Sequence, residues 1–150
     1  YDFYLLKTSA AGMKQWSYAY GTGTLDNAYH VDILPGGDFL LIGGTNIGAG
    51  NDMLMLRTDN AGTVLNARRF GNGAYAESPG TQTNIIPTSD GGFAFHGMTN
   101  GTYGSGGNDV YFVKMDGTLE SGCDNADALL ARLTFADVKA AISLLEVTLL

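Results

Sequence analysis

The chain has 150 residues, with 8 Lys and Arg against 15 Asp and Glu, a net charge of −7 and a pI near 4.4. That length suffices for one domain with a real core, and the acidic balance excludes nucleic acid as a partner, because such affinity rests on clustered Lys and Arg. Gly is abundant (22) and Pro rare (3), which suits short strands joined by tight turns and not a disordered linker, and no apolar run approaches the roughly 18 residues of a membrane span.

The first predicted element is a strand over Phe3 to Thr8, opened by Asp2, apolar on both faces and closed by Lys7. A short continuous apolar run bounded by turn residues reads as a strand buried on both sides. After the turn Ser9-Ala10-Ala11-Gly12, the alternation in Met13 to Tyr20 puts Trp16, Tyr18 and Tyr20 on one face of a second strand. Asp26 to Leu34 is a third strand, stopped by Pro35-Gly36-Gly37-Asp38, and Phe39 to Asn46 a fourth.

Asp52 then restarts the same phrase, Asp-Met-Leu-Met-Leu-Arg-Thr, and Asp109 opens it a third time. Thr63 to Phe70 matches Met13 to Tyr20, Asn84 to Gly92 matches the Pro35 turn, and Phe93 to Asn100 matches Phe39 to Asn46. The Asp-led starts lie 50 and 57 residues apart, with the extra seven residues placed in the loops 72–83 and 101–107, where insertions cost little. Four short strands per unit of this length is the pattern of propeller blades. The expected fold is all-β: β-propeller-like blades over residues 1–124, two four-stranded units plus the opening strand of a third. Since a closed propeller takes roughly four to eight blades, closure through missing sequence, closure by oligomerisation and an open stack all stay open. The start at Tyr1, inside a phrase, is expected of a processed or excerpted chain.

The Asp-led strand ending in Lys, the aromatic strand ending in Gly, Asp-Gly-Gly-Phe and Gly-x-Thr-Asn together resemble the blade repeat of bacterial secreted and cell-surface β-propeller proteins. The likeness covers about Tyr1 to Asp124, and Thr118 to Cys123 is similar to the way such repeat runs end. It implies an extracytoplasmic location and a scaffold or binding role, and it carries no catalytic residues.

Residues 125–150 form a tail without Gly or Pro. Leu129, Leu130 and Leu133 have helical spacing, whereas Leu145 to Leu149 alternates as a strand does, and the choice between helix and strand stays open. Its apolar residues, Leu133, Phe135, Val147 and Leu149 among them, are expected to dock on a neighbouring subunit or domain and propagate assembly head to tail, the alternatives being a fold-back on the chain's own blades and the start of a further domain. Cys123, the single cysteine, cannot form an internal disulfide; a buried thiol and a link to another chain both remain open.

Catalytic chemistry finds no footing. His30 and His96 stand at non-equivalent repeat positions without further ligands, and no nucleophile elbow or paired carboxylate is recognisable. Asp2, Asp52 and Asp109 could supply oxygens to Ca²⁺, but their recurrence at each strand start favours acceptors for loop N–H groups. Arg68-Arg69 reads as a solvated strand face. No cofactor, metal or catalytic residue is expected. The expected protein is a non-enzymatic extracellular or surface module that forms a filament or layer by self-association or with other surface proteins. The alternative is an oligomeric lectin, binding glycans on Trp16, Tyr18 and Tyr20, although core packing is the expected use of such a face.

Overall fold

The structure, a computed structural model, describes residues 1–47, 50–71, 75–80, 83–100, 107–122, 125–127 and 131–134. Those residues contain strands and turns and no helix. The strands are β1 (Phe3–Thr8), β2 (Lys14–Gly21), β3 (Asp26–Ile33), β4 (Phe39–Thr45), β5 (Asp52–Thr58), β6 (Val64–Phe70), β7 (Ala76–Ser78), β8 (Ile86–Pro87), β9 (Phe93–Asn100), β10 (Asp109–Met115), β11 (Asn125–Asp127) and β12 (Ala131–Thr134). All pairings are antiparallel.

They form three sheets: a first of order β1-β2-β12, a central one of order β11-β6-β5-β4-β3, and a third of order β10-β9-β7, with β8 also on β9. This corrects the grouping expected from the repeat, in which each phrase strand opened its own four-stranded unit. The phrase strand β5 pairs back to β4, with Met55 opposite Ile42, as well as forward to β6, with Met55 opposite Arg68. The strands β2 and β3, expected side by side, belong to different sheets. The crossing is fixed locally: Asp26 accepts the Thr22 N–H at 2.7 Å and donates its own N–H to the Tyr1 carbonyl, which turns the chain away from the first sheet. One sequence repeat thus straddles two sheets. In the second repeat the counterpart of β3 is split into β7 and β8, which pair with opposite ends of β9.

The tail's described strands join the chain's own sheets, Ala126 opposite Arg69 and Leu133 opposite Ala19. Phe135, Val147, Leu149 and Cys123 lie outside the described residues.

The central strands β4 and β5 are buried on both faces. Leu40, Ile42, Met53, Met55 and Phe70 share one cluster with Phe93, Phe95, Val113 and Met115 of the third sheet. Phe39, Leu41, Leu54 and Leu56 share the other with Phe3, Leu5 and Tyr20 of the first. Odd and even residues of one strand face opposite sides, so the unbroken apolar run of β5 feeds two cores at once.

The turns after β1, β5 and β10 are one design. In each, the N–H of Ser9, Asp59 or Asp116 bonds the carbonyl four residues on, and its carbonyl accepts from the residue three on. Asp59 Oδ1 accepts the Ala61 and Thr63 N–H groups at 2.9 and 2.7 Å, and Asp116 Oδ1 those of Thr118 and Glu120 at 2.8 and 3.0 Å. The Thr63 N–H chiefly holds the Asp59 carboxyl below its ordinary value of 3.8, and the Thr118 hydroxyl chiefly does so for Asp116. A depressed folded pKa contributes stability that is present above the unfolded value and is lost as pH falls through the folded one. The melting temperature is therefore expected to hold from about pH 6 to about pH 4.5 and to fall below about pH 4. The Asp59→Asn, Asp116→Asn double variant should melt lower at neutral pH and lose less on acidification, read by thermal melts across that range.

Candidate functional site

The three aromatics of β2 share one face, as their alternation requires, and that face meets the central sheet. Trp16 stacks on Tyr18 with centroids 5.3 Å apart and stands edge-on to Phe39 at 5.6 Å. The Trp16 indole N–H donates to the Asn60 carbonyl at 3.2 Å, and the fully buried Tyr20 donates its hydroxyl to the Gly62 carbonyl at 2.7 Å. These rings close a joint between two sheets. A sugar would have to displace that packing to stack on them.

A second constellation sits where the strands begin. Asp52, fully buried, is ion-paired with Arg69 at 3.2 Å. Glu77, also fully buried, accepts the Thr99 hydroxyl on Oε1 at 3.0 Å, while its Oε2 has no hydrogen-bond partner among the described residues. Both carboxylates close on Gly71, whose φ is +136° and where an added Cβ would overlap Asp52 Oδ1 and Glu77 Oε2. One repeat earlier, Asp2 and Asp26 close on Gly21 in the same way. The Asp-Gly-acid triplet therefore recurs, and Asp26 and Glu77 are the members that sequence reasoning missed. Their signal was a fixed interval, an acid five or six residues past the Gly that ends each aromatic strand.

Loop N–H groups are accepted by Asp26, Asp59, Asp90 and Asp116. Arg68-Arg69 is not a solvated face: Arg69 reaches Asp52, and Arg68 bonds the Glu120 carboxylate of the third sheet's turn. Among the described residues no three His, Cys, Asp or Glu side chains converge as metal ligands. His30 lies 3.6 Å from Asp32 on β3, and His96 is exposed on β9.

The remaining candidate surface is the set of sheet faces. Lys7 donates to the Asn60 carbonyl of the central sheet at 3.2 Å, and its repeat counterpart Arg57 to the Gly117 carbonyl of the third at 2.9 Å. The phrase strands β1 and β5 thus each grip the turn of the next sheet with a terminal cation, whereas Lys114 of β10 pairs with Asp90 in its own sheet. Outward-facing residues of the end sheets have no such cover: Tyr4 and Leu6 on the first, Val110 (81% exposed) and Phe112 (65%) on the third. No helix among the described residues is long and apolar enough to cross a membrane. In comparisons with known proteins, no family model, no curated protein and no solved structure matches the chain.

The two glycine seats make a graded prediction. Gly71→Ala forces a side chain into a left-handed backbone between two buried carboxylates and should cost about 2–4 kcal/mol. Gly21→Ala, whose main obstacle is the exposed Asp2 carboxylate, should cost about 1 kcal/mol. Urea unfolding of the two variants measures both, and equal losses would contradict the assigned geometry.

Proposed function

We propose that the chain is a non-enzymatic structural module of β-propeller-type blades that works outside the cell or at its surface. One observation carries this: the same sheet-to-sheet joint is made twice by repeat-equivalent residues. Phe3 and Leu5 face the central sheet as Met53 and Met55 face the third, and Lys7 and Arg57 hold equivalent turn carbonyls. The residues that recur in the sequence are thus used in stacking one sheet on the next. Chains that fold by repeating one neighbour contact form extended scaffolds or rings with little else required. The extracellular placement rests on the likeness of the repeat phrase to surface propeller proteins.

The rival from another class, a lectin, requires Trp16, Tyr18 and Tyr20 for glycans, and those rings support the joint between the first and central sheets. Trp16→Ala is accordingly expected to lower stability by about 2–3 kcal/mol, because the half-buried indole loses its contacts with Tyr18 and Phe39. The wild-type chain should leave a glycan array blank. Millimolar or tighter binding of a glycan, lost in a Trp16→Ala protein that is still folded, would replace the scaffold with the lectin.

A further inference from the structure

The acids where the central and third sheets meet carry more charge than their neighbours balance. Asp26, Asp52 and Glu77 are each at most 1% exposed. Asp52 has the Arg69 guanidinium at 3.2 Å, whereas the side-chain partners of Asp26 and Glu77 are neutral, Thr22 and Thr99. Asp26 stands in one row with Thr45 and Asp52 across β3, β4 and β5. Glu77 faces that sheet from β7, as its approach to Gly71 shows. Two negative charges are thus held out of water with neutral partners, which is costly unless a cation answers them.

The two repeats treat this acid differently. In the first, Asp26 accepts the Thr22 N–H at 2.7 Å and the Thr22 hydroxyl on both oxygens at 3.0 Å, so the local loop closes the seat by itself. In the second, the acid lies one residue farther from its glycine and is one methylene longer. Glu77 Oε1 takes the Thr99 hydroxyl, while the buried Oε2 has no hydrogen-bond partner among the described residues. Glu77 also forms part of the wall of a polar hollow of about 130 Å³ between β7 and the strands β3 and β4. Asn27, Thr45, Asn46, Asn51 and Ser78 supply oxygen-bearing side chains to the same wall, with no thiol or imidazole among them. The Asn51 carbonyl accepts the Glu77 N–H at 2.5 Å, which ties the start of β5 to β7.

We propose that this hollow is a calcium site, with the Glu77 carboxylate as its charged ligand and neutral side-chain oxygens completing the shell. Calcium takes six to eight oxygens in irregular arrangements, whereas magnesium demands a near-ideal octahedron. A wall of amides and hydroxyls drawn from two sheets suits the first. A dication also matches the two charges left by Asp26 and Glu77, and Arg69 already serves Asp52. The anchoring acid is Glu77 and not the aspartates that open the phrase strands. The ion ties β7 to the central sheet and adds a polar link to the joint that Met53 and Met55 make by apolar contact. With a single carboxylate in the shell, the Kd falls in the weak range of about 0.1–1 mM.

The test uses the full chain freed of metal by chelation and titrated with calcium. At ten times the Kd, calcium should raise the melting temperature by about 3–6 °C, and magnesium or potassium at matched ionic strength should raise it much less. Tyr29 lines the same hollow, so its excitation should sensitise bound terbium, and calcium should displace that emission. Glu77→Gln keeps the shape and removes the charge. It should weaken calcium binding at least about tenfold while leaving the metal-free melting temperature equal to or above that of the wild type. Asn46→Lys sets an ammonium at the exposed mouth of the hollow and should weaken binding comparably without unfolding the chain; it decides alone if the Glu77 variant does not fold. Absence of saturable calcium binding overturns the proposal, as does unchanged binding in a folded variant or an equal response to magnesium or potassium. None of these failures touches the module reading, which falls only to glycan binding through Trp16.

Discussion

Burial of β4 and β5 on both sides is the constraint from which the rest of the molecule follows. Side chains alternate across a sheet, so a strand lodged between two neighbours must be apolar at every position. Phe39 to Ile42 and Met53 to Leu56 meet that requirement, and all eight are buried. Each such side chain returned to water would forfeit on the order of 1.5–3 kcal/mol. The central sheet could not stand alone in water with either face bare, so the first and third sheets are conditions of its folding and not additions to it.

Apolar faces slide over one another without losing much area, and direction comes from the polar groups at their margins. Lys7 and Arg57 fasten β1 and β5 to the turn of the next sheet. Trp16 and Asn66 do the same from the aromatic strands, donating to the Asn60 and Thr118 carbonyls. These bonds end on main-chain carbonyls of turns already fixed by Asp59 and Asp116, so little side-chain freedom beyond the donor's is lost. Arg68 adds an ion pair with Glu120, and Arg57 another with Asp38 at 2.8 Å.

Where the two joints differ, one change answers another. Gly12 and Gly62 occupy their turns with φ of +76° and +81°, and Leu119 holds the equivalent place at +67°. An L-residue is strained there by roughly 1–2 kcal/mol. At Gly62 a Cβ would run into the Tyr18 ring and the Tyr20 hydroxyl. Opposite Leu119 stand their counterparts Arg68 and Phe70, which leave room, and Leu119 is fully buried in the cluster containing Phe70. Burial of the leucine offsets its backbone strain. The site is a packing exchange between a large residue on one sheet and a large residue on the next.

Much of this was legible in the sequence. The three phrases gave the strands β1, β5 and β10, Pro35 and Gly91-Gly92 gave the hairpins, and the alternation in β2 gave the shared face of Trp16, Tyr18 and Tyr20, because periodicity and turn chemistry are local properties. A repeat, however, defines a period and not a starting point. Whether β3 also pairs with β2, and whether β5 starts a new sheet or pairs back to β4, depends on contacts between segments that the period leaves equivalent. The recurring Asp told of a conserved place in each unit, yet its partner, Arg69 for Asp52, comes from the next strand over and was decided by antiparallel register. The tail's pairing with β6 and β2 was likewise beyond local reasoning. Asn125–Asp127 and Ala131–Thr134 are strands because two sheet edges stood open to receive them, and an open edge is a property of the assembled sheets alone.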